Sequence, residues 1–302
     1  MASESKNSTS GQHTVKIGVF IPGDCQVLDA ASVDIMGTMS HECMSLPFPL
    51  FVSETPLHRA YSHLKKSAHI KGEISHLQMV SQVVPKAVID LAPSVQIYYV
   101  GSVQAGEPIK LTANETILAT HHYGDAEVAP GKLDIVLVPG PDPYSPFDQG
   151  AVRWLAAQGN TEGVDILSVC TGIFLCGEAG LLKGRSACGP RGIQEFIKTK
   201  GYGEKELVGH KYRWTQDGNL WSSGGVTNGN DLVAAYCRAS PHHFPKPIVE
   251  IACETTDVGD RAREYGKGQS AFVLTMILNV FRAWLMSFAP FSPSRGRGRK
   301  QT

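Results

Sequence analysis

The chain has 302 residues and 42% hydrophobic content, enough for one large core or two ordinary ones, which excludes a wholly disordered protein. Its 28 basic residues balance 28 acidic ones, so no global field recruits nucleic acid or an anionic surface, and a small, roughly neutral partner is expected. The seven cysteines, at positions 25, 43, 170, 176, 188, 237 and 253, form no C-x-x-C pair and no zinc spacing. They read as reduced thiols of a cytosolic protein without a metal.

Residues 1–14 are polar and Ser-rich with no apolar h-region, and read as a disordered leader rather than a secretory signal. "VKIGVFIPG" is a strand pattern closed by Pro22 and Gly23, and "VLDAASVDIMGTMS" then carries apolar residues at helical spacing. Residues 53–84 differ in character, with four histidines (58, 63, 69, 76) and a broken apolar pattern. Their irregular spacing argues against metal ligation and for a solvated surface insertion. Strand patterns recur in "VQIYYVGSV", "LDIVLVPG", "ILSV" and "LWSSGGV", interleaved with helical patterns at 148–159, 171–182, 190–199 and 228–237. Strands alternating with helices imply a parallel sheet covered on both faces, one domain over 15–255.

Beyond it, residues 256–302 hold an apolar helix and a basic tail. The stretch "AFVLTMILNVFRAWLMSF", 271–288, is near the lower limit for crossing a bilayer. It contains Asn279 and Arg282, and an arginine near a helix centre costs about 2.5–3.5 kcal/mol on insertion scales. A buried or subunit-contact helix is therefore expected ahead of a membrane anchor, with "SRGRGRK" as a solvated tail.

In "DILSVCTGIFLCGEAGLL" a strand runs straight into a turn and a helix, with Cys170 at the junction. That is the geometry of a nucleophile elbow, and the unpaired N–H groups of a helix start favour a thiolate, which predicts a pKa below the ordinary value of about 8.5. Free cysteines are also among the most buried residues, and a buried filler at this turn is the competing reading. Spacing alone leaves the choice open.

"ILSVCTGIFLCGEAGLLKGRSA", with "QVLDAASVDIMG" upstream, "LDIVLVPG" between and "DGNLWSSGGVTNGNDLVAAYC" downstream, resembles the ThiJ/PfpI superfamily, also called class I glutamine amidotransferase-like, and within it the isonitrile hydratase-like branch. The resemblance implies a flavodoxin-like α/β three-layer sandwich with a mainly parallel central sheet, a homodimer, and no metal or organic cofactor. It places Cys170 as the nucleophile and Thr171 as the residue whose backbone N–H and hydroxyl face the site. Asp29 takes the position of the acidic partner, although a carboxylate there would also stabilise the first helix through its dipole by about 0.3–1 kcal/mol. Gly140 and Gly172 border the substrate, as does the turn carrying Gly224, Gly225 and Thr227.

Three departures narrow the chemistry. Pro190 stands where glyoxalase-like relatives carry a histidine, no H-x-E motif of a glutaminase occurs, and in "VPGPDP" Pro141 replaces a glycine and has no N–H for an oxyanion hole. The leading expectation is a cysteine-dependent hydratase acting on a small electrophile, an isonitrile, to give an N-substituted formamide. The alternatives are a non-catalytic protein whose cysteine senses oxidants or electrophiles, and a glyoxalase-like or hydrolytic relative.

Overall fold

The computed structural model describes residues 13–45 and 85–288. The 53–84 insertion, the basic tail and all but the end of the leader lie outside these residues. Eleven strands are present among them: β1 Thr14–Phe20, β2 Ser94–Gly101, β3 Pro108–Lys110, β4 Thr116–Leu118, β5 His121–His122, β6 Ile135–Val138, β7 Asp165–Val169, β8 Ser186–Ala187, β9 Glu206–Leu207, β10 Trp214–Asp217 and β11 Leu220–Ser223. The helices are α1 Val27–Ala30, α2 Val33–Thr38, α3 His41–Met44, α4 Lys86–Ile89, α5 Gln149–Gly159, α6 Gly172–Glu178, α7 Gln194–Thr199, α8 Thr227–Ala239, α9 Lys246–Thr256 and α10 Gln269–Ser287.

Seven strands form the central sheet in the order β10-β11-β7-β6-β1-β2-β5, parallel throughout except for the edge hairpin β10–β11. Side chains alternate across it, as a strand's period of two requires. Val15, Ile17, Val19, Ile135, Leu137, Leu167, Val169 and Trp221 enter the core beneath α1, α2, α8 and α9. Phe20, Val136, Val138, Ile166 and Leu220 enter the opposite core beneath α5 and α6. Both faces are thus buried, which explains the near-continuous apolar runs of β6 and β7. The protein is a flavodoxin-like α/β sandwich with a mainly parallel sheet.

The helix expected over 27–40 is broken between α1 and α2, where the Ser32 hydroxyl donates to the Asp29 carbonyl (2.9 Å). The helix expected over 171–182 ends at Glu178, and Gly180 follows with a φ of 72°. The apolar C-terminal helix forms as α10 but is not buried. Phe281, Trp284 and Met286 are 51, 54 and 74% exposed.

Candidate active site

Four adjacent strands, β11, β7, β6 and β1, end side by side, and their carboxyl-end loops meet at one point, the usual place for a site in a parallel sheet. Each loop is tied to the next. Gln26 N–H, before α1, donates to the Gly140 carbonyl after β6 (3.2 Å), and the Thr171 hydroxyl after β7 donates to the Pro141 carbonyl (2.7 Å). Cys170 N–H donates to the Gly224 carbonyl after β11 (3.3 Å), and Val226 N–H closes the ring on Asp29 Oδ1 (2.9 Å).

Cys170 stands at the strand-to-helix turn with a φ of 59°, the left-handed conformation that lifts its side chain above the sheet edge, and it is partly exposed. Cys25, Cys176, Cys188, Cys237 and Cys253 are buried. The Cys170 thiol faces the fully buried carboxyl of Asp29 and favours its charged form. The Val226 and Gly140 N–H groups also favour its charged form, but burial outweighs all three and holds the carboxyl above its ordinary value. Asp29 Oδ2 has no well-formed hydrogen bond of its own.

The expected low thiol pKa is corrected here. Burial first, then the negative charge of Asp29, pushes the Cys170 thiol up to about 12 against the weaker pull of the Thr171 N–H and hydroxyl. Asp29 raises the thiol's pKa and Cys170 lowers the carboxyl's, so cysteine and aspartate titrate as a coupled pair.

The backbone around the pair is tight. A methyl group on Gly140 would lie 2.5 Å from Thr171 Oγ1 and 2.7 Å from Asp29 Oδ2. One on Gly172 would run into the Val138 carbonyl, so α6 can start against β6 only with glycine there. Gly225 lies beside the sulfur, its Cβ position 3.2 Å from Cys170 Sγ.

Cys170, Asp29, Thr171, Gly140, Gly172 and Gly225 are thus brought together. Thr227 is not part of the ring: it is exposed, opens α8, and offers its carbonyl to Arg261 Nη2 (2.6 Å). Among the described residues no histidine acts on Cys170.

Sequence reading missed Val226. It is a β-branched residue at φ 51°, ψ −107°, a strained conformation, and its N–H holds Asp29. Two glycines precede it, and they, not a valine, are what a turn at this place would suggest.

A family model described as the DJ-1/PfpI family matches residues 77–239. A protein of Pseudomonas putida named isonitrile hydratase is 28% identical over 151 residues, 49% of this chain and 61% of that protein, so the match spans less than two thirds of the relative's length. A solved ThiJ/PfpI family protein from Pseudomonas syringae superposes with a TM-score of 0.55 at 17% identity, covering 95% of this chain and 94% of the other. A solved AraC family transcriptional regulator from Pseudomonas putida gives 0.51 at 10% identity, covering 80% and 99%. The last two likenesses speak for the fold alone. With the Cys170 elbow inside the matched segment and the sheet order that carries it, the chain belongs to the DJ-1/PfpI family.

Proposed function

We propose that the protein is a cysteine-dependent enzyme of the isonitrile hydratase type. The observation that carries the reading is Cys170 set on its strained turn against the buried carboxyl of Asp29, with no histidine acting on the thiol among the described residues. As sulfur bonds to the terminal carbon of R–N≡C, its proton passes to the Asp29 carboxylate, which delivers it to that same carbon as negative charge develops there. The product is a thioimidate, R–N=CH–S–Cys170. Water adds to its carbon, the thiolate leaves, and loss of the C–S bond yields R–NH–CHO and the thiol. One water is consumed: the proton first on sulfur ends on the formyl carbon, one proton of the water goes to nitrogen, and the other restores the thiol.

Addition to an isonitrile puts charge on carbon beside the carboxyl, not on an oxygen that needs paired N–H donors. That suits a loop in which Pro141 has no N–H and the Gly140 N–H is turned to Asp29. The sensing alternative needs a thiolate near neutrality, and a thiol raised to about 12 does not favour it.

The test is incubation of purified protein with an aryl isonitrile and detection of the N-aryl formamide by mass spectrometry. Wild type should form it catalytically, Cys170→Ser and Asp29→Asn should not, and absence of turnover by folded wild type with an intact thiol overturns the reading.

A further inference from the structure

The search for a second function leads to α10. Its first turn is fastened to the domain: Arg191 Nε donates to Gln269 Oε1 (3.0 Å), and the Arg191 guanidinium lies 4.3 Å from the Tyr265 ring centroid and 4.8 Å from that of Phe272. From Val273 to Ser287 every residue is exposed. A helix made to pack on a domain or on one partner carries an apolar stripe roughly 100° wide, with polar residues around the rest. Here the pattern is inverted: between Ala271 and Met286 only Thr275, Asn279 and Arg282 are polar. At spacings of four and three they occupy about 60° of arc, and apolar side chains fill the remainder.

We propose that α10 is inserted in a lipid bilayer. Three observations support this occupant over a second copy of the chain. The 19 residues of the helix span about 28 Å, against roughly 30 Å of hydrocarbon. A partner helix would cover one stripe of about 100°, and with only about 60° of the circumference polar, roughly 200° of apolar surface would stay in water. Third, the hydroxyls of Thr275 and Ser287 are satisfied within the helix, on the carbonyls of Ala271 (2.8 Å) and Trp284 (2.7 Å), as a segment surrounded by hydrocarbon requires.

The charge pattern agrees. From Tyr265 to Thr302 the sequence has six basic residues and no acidic one, four of the six being Arg295, Arg297, Arg299 and Lys300. Clusters of this kind beside an apolar helix are drawn to anionic lipid. Arg282 lies five residues before Ser287, about 7.5 Å along the axis, a distance its side chain covers by reaching toward the headgroups. The proposal is independent of the chemistry at Cys170.

The experiment reconstitutes the full chain from detergent into phosphatidylcholine vesicles, with and without 30 mol% phosphatidylserine, and follows flotation in 0.1 M and 1 M NaCl and after sodium carbonate at pH 11. Wild type should float with both lipids under all three conditions, more completely with phosphatidylserine. Leu274→Asp/Leu278→Asp should reduce the floated fraction at least tenfold while keeping the domain's thermal transition, since both side chains are exposed. Lipids brominated on their chains should quench Trp284, and Trp284→Phe should remove that quenching, because Trp154 and Trp221 are buried and Trp214 is half-buried on the edge strand of the domain. Release by 1 M NaCl or carbonate would overturn the proposal in favour of adsorption through the basic segment. A lipid-free dimer that the double aspartate variant dissociates would overturn it in favour of a second copy.

Discussion

Asp29→Asn should abolish turnover and yet make the fold more stable at neutral pH. Asparagine can keep the 2.9 Å bond from Val226 N–H through Oδ1 and removes a negative charge whose burial outweighs the three donors acting on it. Its amide nitrogen meets the Gly140 N–H as a second donor, a loss of about 0.5–1.5 kcal/mol that a protonated carboxyl suffers equally. The net gain is about 1 kcal/mol, which for a domain of this size corresponds to a rise of roughly 2–4 °C in Tm. The sign follows from linkage. Burial raises the Asp29 pKa in the folded state above 3.8, so the folded protein holds this proton more tightly than the unfolded chain and loses stability as pH rises through that window. The Tm difference between variant and wild type should therefore be near zero below about pH 3.8 and grow to its full size at pH 7. Thermal unfolding by circular dichroism across pH 3–8, beside formamide production, measures both. If the variant melts lower than wild type by the same margin at pH 3.5 and pH 7, the carboxylate is fully compensated and serves as a structural cap.

Gly140→Ala should lower turnover by about 10²-fold or more, because the added methyl displaces Thr171 Oγ1 and Asp29 Oδ2 together, and should cost about 1–3 kcal/mol of stability. Unchanged kcat/KM would show that the β6 loop is not part of the site. The iodoacetamide reaction of Cys170, followed by peptide mass spectrometry to distinguish it from partly exposed Cys43, should rise about tenfold per pH unit from 7 to 10 without a plateau, as a thiol pushed up to about 12 requires. A midpoint near 8.5 would refute the burial argument. Val226→Gly should raise Tm, since relief of about 1–3 kcal/mol of strain exceeds the roughly 0.5–1 kcal/mol that glycine loses in chain entropy; a lower Tm would mean that the valine side chain packs better than its backbone strains.

The sheet was legible because β1, β6, β7 and β11 are largely buried on two faces and so stand out as apolar runs, while β2, mostly half-buried, still carries the β-branched and aromatic residues of a strand. β10, "WTQD", was not: it is an antiparallel edge strand with a polar outer face, and no apolar run marks it. α9 also escaped, because its first turn, after Pro245, is Lys246 and Pro247, and its buried face of Ile248, Val249, Ala252 and Cys253 is short. The site was readable residue by residue through Cys170, Thr171 and Asp29, whereas the strain at Val226 and the exposure of α10 are properties of the assembled chain. An apolar helix reads the same in sequence whether a core or lipid receives it.

The failure of the helix-start argument at Cys170 is a matter of magnitude. A macrodipole contributes about 0.3–1 kcal/mol, and α6 is only seven residues long with no side-chain cap. Raising a thiol from 9.0 to about 12 corresponds to about 4 kcal/mol in favour of the protonated form, several times what the dipole supplies. The dominant cause is desolvation, with the Asp29 charge second. For a nucleophile that must act as an anion from the start this would be a defect. For an addition in which the same carbon accepts both sulfur and a proton, it is an arrangement that fits: the proton stays on sulfur until the electrophile arrives, and the carboxylate that raises the thiol pKa is placed to carry the proton the short way to carbon.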